Sequence, residues 1–187
     1  MDIYIDTNII IAFFNSNDPM YRQARLIFRQ QNLSFYIGFI TILEFESIIG
    51  RMWINRQIRF EQDIEKRIIS LSESDQIKAL TEVCFNILPI KIIPFSALEK
   101  IIFNDIEYLV ENTFALAYRV CPLVHLRTLD VIQIATALKI KYLSGFNVQY
   151  FLTNDHNILN NGQEIHNKLQ IIPISCSELL SVLKVPL

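Results

Sequence analysis

Apolar and polar positions along the chain follow two rhythms: short apolar runs, and longer stretches with an apolar residue every three or four positions. The short runs predict strands at residues 2–6, 35–40, 88–93, 149–153 and 169–172. The longer rhythm predicts helices, and most of their starts carry capping residues. Asn17-Asp18-Pro19 opens one helix, with Asp18 suited to the N-cap and Pro19 to the first helical position. Thr41-x-x-Glu44 reads as a capping box for a helix running past Arg51. Residues 61–86 read as helical, with Ile64, Ile68 and Leu71 on one face. Ser96-x-x-Glu99 is a second capping box, opening a helix with Ile102, Ile106 and Leu109 in line. Thr128 is the expected cap of a helix Leu129–Tyr142, and Ser175-x-x-Glu178 of the last helix.

Strands alternating with helices predict an α/β domain with a parallel sheet covered on both sides. The 187 residues suffice for one such domain, residues 1–187, with the mostly helical stretch 54–112 read as a helical insertion on its core. Hydrophobic residues make up 51% of the chain and mean hydropathy is +0.29. That excess fits strands buried on both faces and surface covered by a second copy of the chain. No uncharged apolar run approaches the ~18 residues of a membrane span. The acidic start Met1-Asp2-Ile3-Tyr4-Ile5-Asp6 differs from the basic opening of a signal peptide, so the expected location is the cytoplasm.

Several chemistries are disfavoured. Cys84, Cys121 and Cys176 form no C-x-x-C pair, and the three histidines form no H-x-x-x-H pattern, which argues against a disulfide framework or a zinc site. The four glycines compose neither a phosphate loop nor a dinucleotide fingerprint. With a net charge of −2, nucleic acid would have to be held by a local basic patch or by metal ions.

Carboxylates offer the sharper signal. Asp6 closes the first predicted strand and Asp155 follows the 149–153 strand, while Glu44 and Asp130 fall in the first turns of predicted helices. In an open parallel sheet all four positions lie along one edge, where ligands bind. Carboxylates gathered without cations repel one another, and a divalent ion relieves the repulsion. Oxygen-only ligation favours Mg²⁺ or Mn²⁺ and points to phosphodiester hydrolysis. Each residue also has a structural reading. Glu44 can serve Thr41 as a capping partner, Asp130 can complement a helix dipole, and Asp155 can be a turn residue. Asp6 is the least easily explained in that way.

Four segments carry a family resemblance: Tyr4-Ile5-Asp6-Thr7-Asn8, Thr41-Ile42-Leu43-Glu44-Phe45 with Arg51 beyond it, Leu126 through Ala137 around Asp130, and Phe151-Leu152-Thr153-Asn154-Asp155. In order and position they resemble the PIN-domain nucleases, in particular the VapC-type toxins of toxin–antitoxin pairs. The resemblance implies a three-layer α/β/α sandwich around a mainly parallel sheet, with RNA cleavage dependent on Mg²⁺ or Mn²⁺. It assigns Asp6, Glu44, Asp130 and Asp155 to the metal-binding catalytic cluster, with Asn8 and Thr153 supporting it by hydrogen bonds. It also implies an RNA substrate and a small antitoxin partner. Among basic residues, Arg51 and Arg127 are the candidates for RNA phosphate, ahead of Arg56 and Arg59. Gln133 stands where many relatives have His, and is given no role. The separation of 86 residues between Glu44 and Asp130 exceeds that of small toxins of this type. An aspartate-nucleophile phosphatase is disfavoured because Asn8 stands where its second Asp would be, and a response-regulator receiver because it wants an adjacent acidic pair. The non-enzymatic alternative is a PIN-like module that binds RNA or protein without cleaving.

Overall fold

The computed structural model describes residues 1–60, 62–94, 97–143 and 145–185. In chain order the elements are β1 (Asp2–Ile5), α1 (Thr7–Phe14), α2 (Tyr21–Phe28), β2 (Ser34–Gly38), α3 (Phe39–Ile54), α4 (Gln62–Ile68), α5 (Glu73–Ile87), β3 (Ile90–Ile93), β4 (Leu98–Phe103) and β5 (Ile106–Glu111). They continue with α6 (Asn112–Val120), a single 3₁₀ turn at Cys121–Leu123, α7 (Thr128–Leu143), β6 (Val148–Leu152), α8 (His156–Asn160), α9 (Gly162–Leu169), β7 (Ile172–Ile174) and α10 (Cys176–Val182). Five strands form one sheet in the order β3-β2-β1-β6-β7, and every pairing in it is parallel.

Side-chain alternation on the central strands divides the core into two clusters, one on each face. Ile3, Ile5, Phe35, Ile37 and Leu152 join the cluster packed by α1, α2, α3, α5 and α10. Tyr4, Tyr36, Val148 and Phe151 join the cluster packed by α6, α7 and α9. The result is the expected three-layer α/β/α sandwich. Among the described residues, no helix is long and apolar enough to cross a membrane.

Several elements depart from the sequence reading. The segment after Asp6 is α1, a helix whose buried face includes Thr7 and Ile9–Ala12; an apolar run of this kind shows no amphipathic period. Asp18 does not cap α2. Its side chain accepts from the Met20 amide at 2.8 Å, and the helix begins at Tyr21. Residues 61–86 divide into α4 and α5, with Ser72 as N-cap of the second. The last sheet strand is Ile172–Ile174, and α8 and α9 fill the chain before it. Thr128 is the first residue of α7 and not its cap. At the final helix Ser175 and Glu178 make the full capping box.

The largest correction concerns residues 96–109. Ser96 lies outside the described residues, and Glu99 through Leu109 form an antiparallel hairpin instead of a helix. Asn104 and Asp105 both have positive φ, 49° and 61°, as a two-residue primed turn requires. Ile102, Ile106 and Leu109 fit helical spacing, but Phe103-Asn104-Asp105-Ile106 is also a turn flanked by β-formers. The turn chemistry prevails.

Gly38 ends β2 and is the N-cap of α3. A Cβ there would lie 2.3 Å from Thr136 Cγ2 on α7, so the absence of a side chain lets the two helices that bear Glu44 and Asp130 approach. We expect Gly38→Ala to destabilise the protein by about 1–3 kcal/mol through overpacking. Thr136→Ser removes the offending methyl and keeps the hydroxyl. Thermal or urea unfolding of the double mutant should recover most of the loss; strictly additive effects would show that the contact is not the cause.

Candidate active site

The sheet order sets the place. From β1 the chain moves outward through β2 to β3, then returns to add β6 and β7 on the opposite side. The C-terminal ends of β1 and β6 therefore flank the point where strand order reverses, the position at which open α/β sheets bind ligands. Both strands lead into a helix by way of an aspartate. Asp6 follows β1 and is the N-cap of α1. Asp155 follows β6 after two residues and is the N-cap of α8, accepting from the Asn157 amide at 2.6 Å.

Asp6 is 7% exposed and accepts three hydrogen bonds. The Thr7 amide donates to Oδ1 at 2.7 Å. Asn8 Nδ2 and Thr153 Oγ1 donate to Oδ2 at 2.7 and 2.6 Å. Such donors favour the ionised form, yet burial and the neighbouring charges of Glu44 and Asp130 outweigh them, and the Asp6 pKa rises to about 7. Thr153 Oγ1 also accepts from Asn8 at 3.0 Å and from the Asp155 amide at 2.9 Å. Asn8 Oδ1 in turn accepts from the Asn154 amide at 3.2 Å. Asn8 and Thr153 thus tie the ends of β1 and β6 together around the carboxylate.

Glu44 comes from α3. The helix begins at Phe39, so Thr41 is its third residue, not its cap, and Glu44 sits in the second turn. No capping box forms. Glu44 Oε2 accepts from Thr7 Oγ1 at 2.5 Å and from Gln133 Nε2 at 2.7 Å. The carbonyl end of Gln133 accepts from Thr41 Oγ1 at 3.1 Å and from the Tyr4 hydroxyl. Thr7, Thr41, Tyr4 and Gln133 are all buried. They form a polar thread from β1 through α7 to Glu44, and Gln133, which the sequence reading noted without giving it a role, holds Glu44 within it. Its signal was available: it lies three residues after Asp130, one helical turn on.

Asp130 lies in the first turn of α7, as expected. Its Oδ2 is buried with no hydrogen-bond partner among the described residues. Burial first, then the charges of Asp155 and Glu44, raise its pKa; Arg127 nearby opposes them. Charge interactions of Asp6 with Glu44 and Asp130, and of Asp130 with Asp155 and Glu44, thus link the four carboxylates into one cluster. Arg127 and Arg51 are both exposed. Arg51 lies two helical turns beyond Glu44, about 10 Å along α3. Among the described residues no three His, Cys, Asp or Glu side chains are already set to hold one ion. Glu44 is engaged by Thr7 and Gln133, and Asp155 by its cap. The orphaned Asp130 oxygen and the all-oxygen donor set nonetheless fit a hard divalent cation.

The family model described as PIN domain matches residues 3–162. Two solved structures are similar in fold. One is VapBC2 from Rickettsia felis bound to a DNA fragment from its promoter, at 13% identity and TM-score 0.52, covering 94% of this chain and 98% of the other. The second is VapC20 from Mycobacterium tuberculosis, described as a sarcin–ricin loop cleaving toxin, at 10% identity and TM-score 0.51, covering 91% and 99%. No curated protein sequence matches.

The raised Asp6 pKa links folding to pH. In the metal-free protein the native state holds the Asp6 proton more tightly than the unfolded chain, whose pKa is near 3.8. This contribution is full below pH 4 and is lost as pH rises through about 7, a difference of up to ~4 kcal/mol. Asp6→Asn removes it, although the amide leaves one of the three donors poorly matched and so lowers stability at every pH. The signature is therefore the slope: in chelator, the Tm difference between the two proteins should move in the mutant's favour from pH 4 to pH 8. Parallel curves would show that Asp6 titrates normally.

Proposed function

Since the chain belongs to the PIN domain family, as the match over residues 3–162 establishes, we propose that it is a metal-dependent endoribonuclease whose catalytic residues are Asp6, Glu44, Asp130 and Asp155. The observation that carries the reading is the buried, unpartnered Oδ2 of Asp130 amid carboxylates from three other segments, gathered where strand order reverses. Mg²⁺ or Mn²⁺ would be held by Asp6 and Asp130, with Glu44 and Asp155 completing the oxygen set. When bound, the ion neutralises the cluster and acidifies a water for attack on phosphorus.

The chain's own groups prepare that chemistry. Asn8 and Thr153 fix the Asp6 carboxylate on one oxygen. Gln133 and Thr7 hold Glu44 Oε2. Arg127, near enough to Asp130 to oppose its pKa rise, would meet an RNA phosphate beside the carboxylates, with Arg51 further along α3. The substrate class is RNA and the setting the cytoplasm. Residues 1–187 act as one PIN-like unit, with residues 54–112 an elaboration of it. The likeness to VapBC2 and VapC20 supports a toxin role with a small antitoxin as partner, and the apolar surface supports pairing with a second copy.

The test is cleavage of single-stranded RNA with Mn²⁺ and with chelator. Wild type should cut only with the ion, and Asp130→Asn should abolish both cutting and the rise in Tm on Mn²⁺ addition. Gln133→Leu should retain that rise while losing about 10–100-fold in kcat, the usual effect of a residue that orients a ligand. Arg127→Ala should weaken RNA binding and make its salt dependence shallower by about one unit. A wild-type protein that binds RNA without cutting it would establish the non-cleaving module instead.

A further inference from the structure

A cleft opens beside the carboxylate cluster, between α1, α8 and the start of α10. Its cavity of about 590 Å³ lies within the roughly 300–1,000 Å³ of small-ligand sites. It shares a wall with the candidate active site. Asn8 and Asn154 line it, and the same Asn8 donates to Asp6 Oδ2 at 2.7 Å and accepts from the Asn154 amide at 3.2 Å. The far side is fixed to that wall. Asn154 Oδ1 accepts from the Cys176 amide at 3.2 Å, and its Nδ2 donates to Cys176 Sγ at 3.5 Å. A group seated in the cleft is thus held next to Asp6 by a preformed frame.

The lining joins two chemistries. Ala12, Met20, Leu159 and Pro173 supply apolar surface. Asp18 and Glu178 supply acceptors. Asp18 Oδ1 takes the Met20 amide at 2.8 Å, and Glu178 Oε2 takes the amide and hydroxyl of Ser175 at 2.8 and 2.7 Å. The second oxygen of each carboxylate accepts from no described residue. The bonds from Ser175 hold the Glu178 carboxyl below the ordinary carboxylate range, so it is an anion at neutral pH. No Lys or Arg lies among the described lining residues.

This combination selects a ligand. Carboxylate oxygens without a cation repel phosphate and call for N–H donors, while apolar walls call for a flat, weakly hydrated body. A nucleobase splayed from a single strand meets both demands, with donors on its Watson–Crick edge and an exposed ring, His156, at the rim for stacking. Guanine alone among the RNA bases carries two adjacent donors on that edge, N1–H and the 2-amino group. In adenine, cytosine and uracil each donor stands beside an acceptor, which an ionised carboxylate repels. We propose that this cleft is a guanine-specificity pocket for the RNA strand, in which Asp18 and Glu178 read the base. The proposal rests on the ribonuclease reading and places a guanosine next to the cleaved phosphate.

Short single-stranded RNAs of A, C and U with one guanosine test it, compared with the same strands carrying inosine there, which lacks only the 2-amino group. Binding is read by fluorescence anisotropy in chelator, and cutting in Mn²⁺. Wild type should favour the guanosine strand by about 10–100-fold, the loss expected when a charged acceptor is left without its donor. A 7-deazaguanosine strand, whose Watson–Crick edge is intact, should behave as guanosine. Glu178→Gln keeps an oxygen for both Ser175 donors, as a capping box allows, and turns the free acceptor into a donor. It should erase the preference while leaving Tm and the Mn²⁺ effect on Tm unchanged. Asp18→Asn, which likewise keeps an oxygen for the Met20 amide, should erase it independently. Equal treatment of guanosine and inosine by a protein that cuts RNA would overturn the pocket and leave the nuclease reading standing. So would a preference that survives both substitutions, or a Glu178→Gln protein that loses only a co-expressed protein partner. A guanosine preference in binding with no cutting would support the pocket and overturn the nuclease reading.

Discussion

Mutual repulsion among clustered, partly buried carboxylates is the constraint around which this fold is arranged. Asp6 and Asp130 are taken partly out of water and placed in reach of Glu44 and Asp155, and each of these effects disfavours ionisation. The scaffold holds such an arrangement because its sheet is covered on both faces by apolar helices, which leave the chain little freedom to spread. The three donors on Asp6 and the two on Glu44 offset only part of the repulsion. The unmatched oxygen on Asp130 is what remains, and it is the most direct structural argument for a cation.

A second constraint follows. Each carboxylate arises from a different segment, so their meeting depends on contacts between elements far apart in sequence. Asn8 and Thr153 bridge β1 and β6, Gln133 bridges α7 and α3, and Gly38 admits the methyl of Thr136. These contacts are small and local, but each governs the separation of two carboxylates.

Much of this was legible in the sequence, for identifiable reasons. Asp6 and Asp155 were readable because an apolar run that stops at an aspartate marks the end of a buried strand, and the ends of parallel strands share an edge. Asp130 was readable as a first-turn residue. Glu44 was read as a first-turn residue on the same edge, but that local explanation was mistaken: Thr41 looked like the cap, and the cap is in fact Gly38, three residues earlier, with no side chain to announce it. Asp18 failed in the same way, since a side chain that can cap a helix can equally close the turn before it. The hairpin was misread because a three-to-four-residue apolar spacing is ambiguous where strands are amphipathic and short. Gln133 was noted but given no role because its partners, Tyr4 and Glu44, are brought to it only by the tertiary fold.

Gln133 also gives the site a polarity. Its carbonyl oxygen takes the Tyr4 and Thr41 hydroxyls, and its amide nitrogen gives to Glu44 and, at 3.2 Å, to Thr7. An amide cannot exchange those two ends without turning over, and it gains or loses no proton near neutral pH. An imidazole at this position would change charge in that range. The thread behind Glu44 therefore keeps one direction at all physiological acidities.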